Sequence, residues 1–195
     1  YSSDGMNWTG VANSITNIFS TAGIGVAWNG RLWVAVGEGT NTIAYSSDGM
    51  NWTGVANSIT NIISSRGSCV AWNGTLWVAG GIGTSTNTNT IAYSSDGMNW
   101  TGVTDSNNIF YYCKSVAWNG RQWVAVGQGT NYSIAYSSDG MNWTGVIGSE
   151  SIFIGSGVAW GGSNLPHTIT FPRNLTLAGG SGTNSIAHSP DGSNN

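Results

Sequence analysis

The stretch Tyr45-Ser46-Ser47-Asp48-Gly49-Met50-Asn51-Trp52-Thr53-Gly54-Val55 decides the fold, because it recurs unchanged from Tyr1, Tyr93 and Tyr136. A decayed copy runs from His188 through Asp191 and Gly192. The copies start 44, 48, 43 and 52 residues apart. A second block, VAWNG followed by LWVAVG or a relative of each, lies between them and begins at Val26, Val70, Val116 and Val158. A period of this length matches a sheet of four short strands, the blade of a β-propeller, at about 40–50 residues. Helical repeats of similar period are excluded by composition, since Gly, Asn, Thr, Ser, Val and Trp dominate and all form helices poorly.

Within one period the strands follow from local chemistry. Leu32, Val34 and Val36 alternate with Trp33, Ala35 and Gly37, which is the period of two of a strand with two different faces. Asn29-Gly30 separates strand A, near Gly25–Trp28, from strand B, near Leu32–Val36, and both residue types tolerate positive φ in a hairpin turn. Strand C falls near Thr42–Ser46 and strand D near Trp52–Val55, with Asp48-Gly49 as the turn between them. The chain opens with strand D and no A or B before it; it closes with A, B and C and no D. The expectation is an all-β protein in one domain over residues 1–195. It is a β-propeller of four blades of four antiparallel strands, at about 24–55, 68–103, 115–146, and 156–189 plus 7–11, the last blade closed by the N-terminal strand. Pairing the two ends leaves few open edges.

Composition narrows the function classes. Charged residues are 7% of the 195, with a net charge of −3 and a pI near 5.0, against roughly 25% charged in typical globular proteins. Five cations offer no patch to neutralise phosphates, so nucleic acid is not an expected partner. No apolar run reaches the ~20 residues of a membrane-spanning helix. Eleven tryptophans are incompatible with a disordered chain.

The recurring Ser-x-Asp-Gly-x-x-Trp, at Ser2 to Trp8, Ser46 to Trp52, Ser94 to Trp100 and Ser137 to Trp143, resembles the Asp-box, or BNR, turn of bacterial-neuraminidase-like β-propellers. The usual pattern carries one more residue between Asp and Gly. The resemblance implies a propeller and a structural role for the turn, on the face opposite the family's active site. Asp4, Asp48, Asp96, Asp139 and Asp191 are therefore expected to accept backbone N–H groups within their turns, with Gly supplying positive φ and Trp packing beneath. Sialidases of this family hold a substrate carboxylate with three arginines beside a Tyr nucleophile and its Glu. Here Arg31 and Arg121 follow A–B turns, Arg173 lies beyond an insertion and Arg66 alone falls in a D–A loop. No enzyme activity is expected, and a glycoside hydrolase is the most distant reading.

The remaining chemistry is sparse. Asp105, Glu38 and Glu150 show no pairing for acid–base work. His167 and His188 belong to no metal spacing, so neither metal nor cofactor is expected. Cys69 and Cys113 precede strand A in adjacent repeats and are candidates for a disulfide, with two buried thiols as the alternative. Asn7, Asn51, Asn73, Asn99, Asn131, Asn142 and Asn174 head N-glycosylation sequons, which suits an extracellular or cell-surface location. Long D–A loops carry apolar anchors, such as Ile62-Ile63 and Ile109-Phe110, expected as a plug over a central channel. Asn41, Tyr111, Tyr112, Asn131 and Tyr132 are the candidate ligand-binding residues, since amides and aromatic rings suit neutral sugars. Residues 161–173, with Pro166, His167 and Pro172, form an insertion that breaks the repeat.

Two functions fit. The first is a non-catalytic structural or adhesive building block that associates with itself into a larger assembly such as a fibril. The alternative is a lectin-like module binding glycans through its D–A and B–C loops.

Overall fold

A computed structural model describes residues 1–84, 88–152, 154–161 and 175–189. The protein is all-β and antiparallel. The first repeat is a meander of β1 (Ala22–Trp28), β2 (Trp33–Glu38), β3 (Ile43–Ser46) and β4 (Thr53–Gly54), each strand pairing with the next. The second repeats it with β5 (Arg66–Trp72), β6 (Trp77–Ile82), β7 (Ile91–Ser94) and β8 (Thr101–Gly102). The third comprises β9 (Tyr112–Trp118), β10 (Trp123–Gln128), β11 (Ile134–Ser137) and β12 (Thr144–Gly145). The fourth has β13 (Ile154–Gly161), β14 (Leu175–Ser181) and β15 (Ile186–Ser189). Trp160 pairs with Thr176 as Trp28 pairs with Trp33, so Thr176 holds the register position expected across the insertion. The insertion itself, with Asn174, lies outside the described residues, as does Asp191.

Registers repeat because the local signals repeat. Each inner pair ends in facing tryptophans, Trp28–Trp33, Trp72–Trp77 and Trp118–Trp123, with ring centroids 4.9, 5.0 and 5.4 Å apart. The hairpin beyond them differs from a two-residue turn. Only Gly30 takes positive φ, and Asn29 instead accepts the N–H groups of Arg31 and Leu32 on its side-chain oxygen, at 2.9 and 2.7 Å. Asn73 and Asn119 do the same in the next two repeats.

The sheets stack in chain order: β1 packs on β5, β5 on β9, and β9 on β13. Single bridges, Glu38 to Arg66 and Ile82 to Tyr112, tie neighbouring sheets at the edge. Alternation gives each sheet a leading face, toward the sheet before it, and a trailing face, toward the one after. Val34, Val36 and Ile43 on the first trailing face are buried against Trp77, Ala79 and Ala92 on the second leading face. Val78 and Ile91 meet Trp123, Ala125 and Ala135 in the same way. These seams are the core, and burying such side chains contributes about 1.5–3 kcal/mol each.

The anchors of the D–A loops fill the seams rather than a channel. Ile62 and Ile63 join the Val34 cluster, and Ile109 and Phe110 the Val78 cluster. No packing comparable to that between successive sheets joins β13 back to β1.

Among the described residues β15 gains no fourth strand from residues 7–11, so the expected closure by the N-terminal segment is not formed here. Instead Tyr1 and Thr9 exchange backbone hydrogen bonds, at 2.7 and 2.8 Å, and Trp8 is 74% exposed. The physical reason is local. Tyr1 and Thr9 stand where Tyr45 and Thr53 pair in the first meander. The turn closes on its own bonds, with no inner strand to dock on.

Candidate functional site: turns, loops and end faces

Four turns are built alike. Asp48 Oδ1 accepts the N–H groups of Met50 and Asn51 at 2.8 and 2.7 Å, and Oδ2 accepts the Asn51 side-chain amide at 2.8 Å. Ser46 donates its hydroxyl to Oδ1 at 3.0 Å and accepts the Gly49 N–H at 2.8 Å, while Trp52 Nε1 donates to Gly49 O. Gly49 sits at φ 75°, where an L side chain is strained. Asp4, Asp96 and Asp139 repeat the pattern. Among the described residues, both carboxylate oxygens of Asp4, Asp48, Asp96 and Asp139 accept hydrogen bonds from within their own turns.

Those bonds favour the ionised form. At Asp48 the Asn51 N–H leads in holding the carboxyl well below the ordinary range, and at Asp4 the Asn7 N–H does so. At Asp96 and Asp139 partial burial opposes ionisation most strongly of any one influence. The combined hydrogen bonds, led by the Asn99 and Asn142 N–H groups, outweigh it and bring both to about 2. A folded-state pKa below the unfolded 3.8 stabilises the fold above that pH, and the contribution is lost as pH falls through about 2. Thermal stability is therefore expected to hold from neutral pH down to about 4 and to fall below it. The double variant Asp96→Asn, Asp139→Asn should start less stable and show a shallower acid slope, measured by circular dichroism melts at each pH. An unchanged slope would mean that these turns do not govern acid stability.

Four sequon asparagines are working parts of the same turns. The side-chain amides of Asn7, Asn51, Asn99 and Asn142 each donate to their Asp at 2.7–2.8 Å. Asn131 is exposed and outside any turn of this kind.

The candidate ligand residues divide. Asn41 donates its amide to Asn17 O and Ile18 O, at 3.0 and 3.1 Å, and lies over Gly54. Tyr132, at the same place in the third repeat, covers Gly145 with its ring. Both are internal braces, one between loops and one within its sheet. Tyr111 is 56% exposed. Tyr112 is half-buried in β9, with Lys114 Nζ 5.4 Å from its ring centroid. Tyr111 and Asn131 are thus exposed, whereas Asn41, Tyr112 and Tyr132 are half-buried and Asn41 and Tyr132 are engaged in bracing contacts.

Cys69 and Cys113 are free thiols whose sulfurs gather over Gly80, where a Cβ would lie 2.8 Å from Cys69 Sγ and 2.5 Å from Cys113 Sγ. The neighbouring Cys69 thiol and complete burial push the Cys113 thiol well above its usual range. Glu38 lies 3.9 Å from Arg66 on the surface, where such a pair contributes little. Among the described residues no three His, Cys, Asp or Glu side chains gather as a metal set. No helix among them is long and apolar enough to cross a membrane.

One repeated device is absent from the sequence reading. Asn13, Asn57, Asp105 and Gly148 all adopt positive φ, from 57° to 80°, immediately before a short helical turn. This accounts for Asp105, since Asn, Asp and Gly are the types that accept left-handed backbone. The next residue is always Ser. Ser58 accepts the Thr42 N–H at 3.1 Å, and Thr42 Oγ1 donates to Ile63 O at 2.7 Å. Ser106 accepts the Thr90 N–H and Ser149 the Ser133 N–H in the same way, while the Thr90 and Ser133 hydroxyls donate to Ser106 O and Ser149 O, giving a like buried clasp between a loop and the sheet before it. The signal was legible as Val-x-[Asn/Asp/Gly]-Ser at Val11, Val55, Val103 and Val146.

The two ends of the stack carry the faces that these seams bury elsewhere. On the first leading face Val26 is 59% exposed and Trp28 and Trp33 are partly open. On the last trailing face Leu177 is 44% and Ile186 70% exposed, beside exposed Ala159 and His188. No protein-family model matches the chain, and comparison with curated proteins finds no relative.

Proposed function

We propose that this chain is a non-catalytic building block of an extracellular or cell-surface assembly, made of Asp-box β-propeller blades, that associates with itself. The observation that carries the reading is the pair of apolar end faces. They carry exposed apolar residues at register positions that the internal seams bury, and exposed apolar surface of this kind marks an interaction site. The Asp-box aspartates, bound within their own turns, are consistent with a structural rather than a catalytic role. Low charge and the exposed sequon at Asn131 support the location. The test is sedimentation velocity over a wide concentration range at physiological salt. Mass should rise with concentration, and a single monomeric species throughout would end the proposal.

Glycan binding is the second reading, favoured by exposed Tyr111 beside Tyr112. On a glycan array the chain would bind neutral sugars and Tyr111→Ala would abolish the signal. An array without hits removes this reading.

A further inference from the structure

We propose that the partner of each end face is the opposite end face of a second copy, so that copies join head to tail and continue the internal seam. This rests on the self-association proposed above and specifies its geometry.

Three observations carry it. The first is apolar continuity. Val26 on the exposed leading face matches Val70, Val116 and Val158, all of which lie within seams. On the exposed trailing face, Ile186 matches Ile43 and Ile91, which are wholly buried by the next sheet. The second is the hydrogen-bond clasp. Ser14 follows the left-handed Asn13 as Ser58 follows Asn57, and Ser185 precedes Ile186 as Thr42 precedes Ile43. Among the described residues no sheet lies ahead of Ser14 and none behind Ser185, which is exposed. They are the two open halves of a clasp made three times inside. The third is polarity: the leading face is distinct from the trailing face, so contact between copies is heterologous. Such contacts extend into filaments when the rotation does not close.

The seam also shows where the contact is imperfect. Internally Val36 faces Gly67 and Val126 faces Gly155, where a Cβ would lie 2.8 and 2.7 Å from the valine Cβ. At the ends the corresponding residues are Gly179 and Gly23, two glycines, leaving the place of a valine side chain empty. Among the described residues a Cβ at 179 meets only Ser185 O, at 3.9 Å. Gly179→Val therefore rebuilds the Val36–Gly67 packing between copies.

The experiment is analytical ultracentrifugation of the 195-residue chain and three variants, with circular dichroism confirming that each is folded. Val26→Lys closes the leading face and Ile186→Lys the trailing face, both at exposed positions. Each should be monomeric alone. Mixed in equal amounts they should form a dimer and nothing larger, because each supplies the one face the other lacks. Gly179→Val should tighten association about tenfold or more. Single variants that assemble like the parent, or a mixture that stays monomeric while the parent associates, would overturn the head-to-tail geometry and leave self-association standing. A parent and a Gly179→Val variant that are both monomeric at every concentration would overturn both.

Discussion

Gly80→Val is expected to destabilise the protein by about 3 kcal/mol. At equivalent places Val36 and Val126 are wholly buried, so sequence similarity alone would treat the change as a return to the repeat. The difference lies across the seam. Where Val36 faces Gly67, position 80 faces Cys113, and a Cβ at 80 would stand 2.5 Å from Cys113 Sγ and 3.0 Å from its Cβ. The two sites have exchanged volume: small against large in one seam, large against small in the next. Cys113→Gly alone removes a buried side chain and should cost about 2 kcal/mol. Combined, Gly80→Val and Cys113→Gly recreate the Val36–Gly67 contact. The pair should be more stable than the sum of the single losses by about 2 kcal/mol, within the range for residues in contact. Cys69→Ser completes the match, since Ser115 already sits opposite Val126. Thermal and denaturant unfolding under reducing conditions reads the cycle. Strictly additive losses would mean that residues 80 and 113 do not share the space.

Trp123→Ala is expected to cost about 3–5 kcal/mol, and Trp33→Ala clearly less. The two tryptophans sit in the same local sequence, Trp-Val-Ala-Val-Gly, and in strands with the same pairing. Trp123 is fully buried against the trailing face of the second sheet, with Val78 and Ile91 around it. Among the described residues no sheet packs on the leading side of Trp33, which is only partly buried. Its truncation leaves a gap that solvent reaches rather than an internal cavity. Chemical denaturation followed by tryptophan fluorescence would rank the two variants. Equal losses in dilute solution would show that Trp33 is covered there, in which case the gap between the variants should reopen in Val26→Lys.

The strands, hairpins and Asp turns were legible because their causes are local. Leu32 to Val36 alternates on a period of two, Asn29-Gly30 makes a turn wherever it falls, and Asp48 finds its donors within three residues. Expectations about surfaces fared differently. Asn41 and Tyr132 read as loop residues free to meet a ligand, yet both brace against structure already in place, at Ile18 and Gly145. The apolar anchors read as a plug, yet Ile63 and Phe110 close the seams. The clasp of Thr42 with Ser58 spans 16 residues and could be recognised only as a recurring Ser after a left-handed residue.

By itself, then, the sequence determined a chain of near-identical antiparallel meanders, their registers and their self-contained turns, because each of these is decided within one period. Tertiary structure alone decided which of two identical tryptophans is buried, why Gly80 must lack a side chain, and which faces remain uncovered. Burial belongs to a pair of sheets, and near-identical repeats take different environments as soon as one has a neighbour on a side where the other has none.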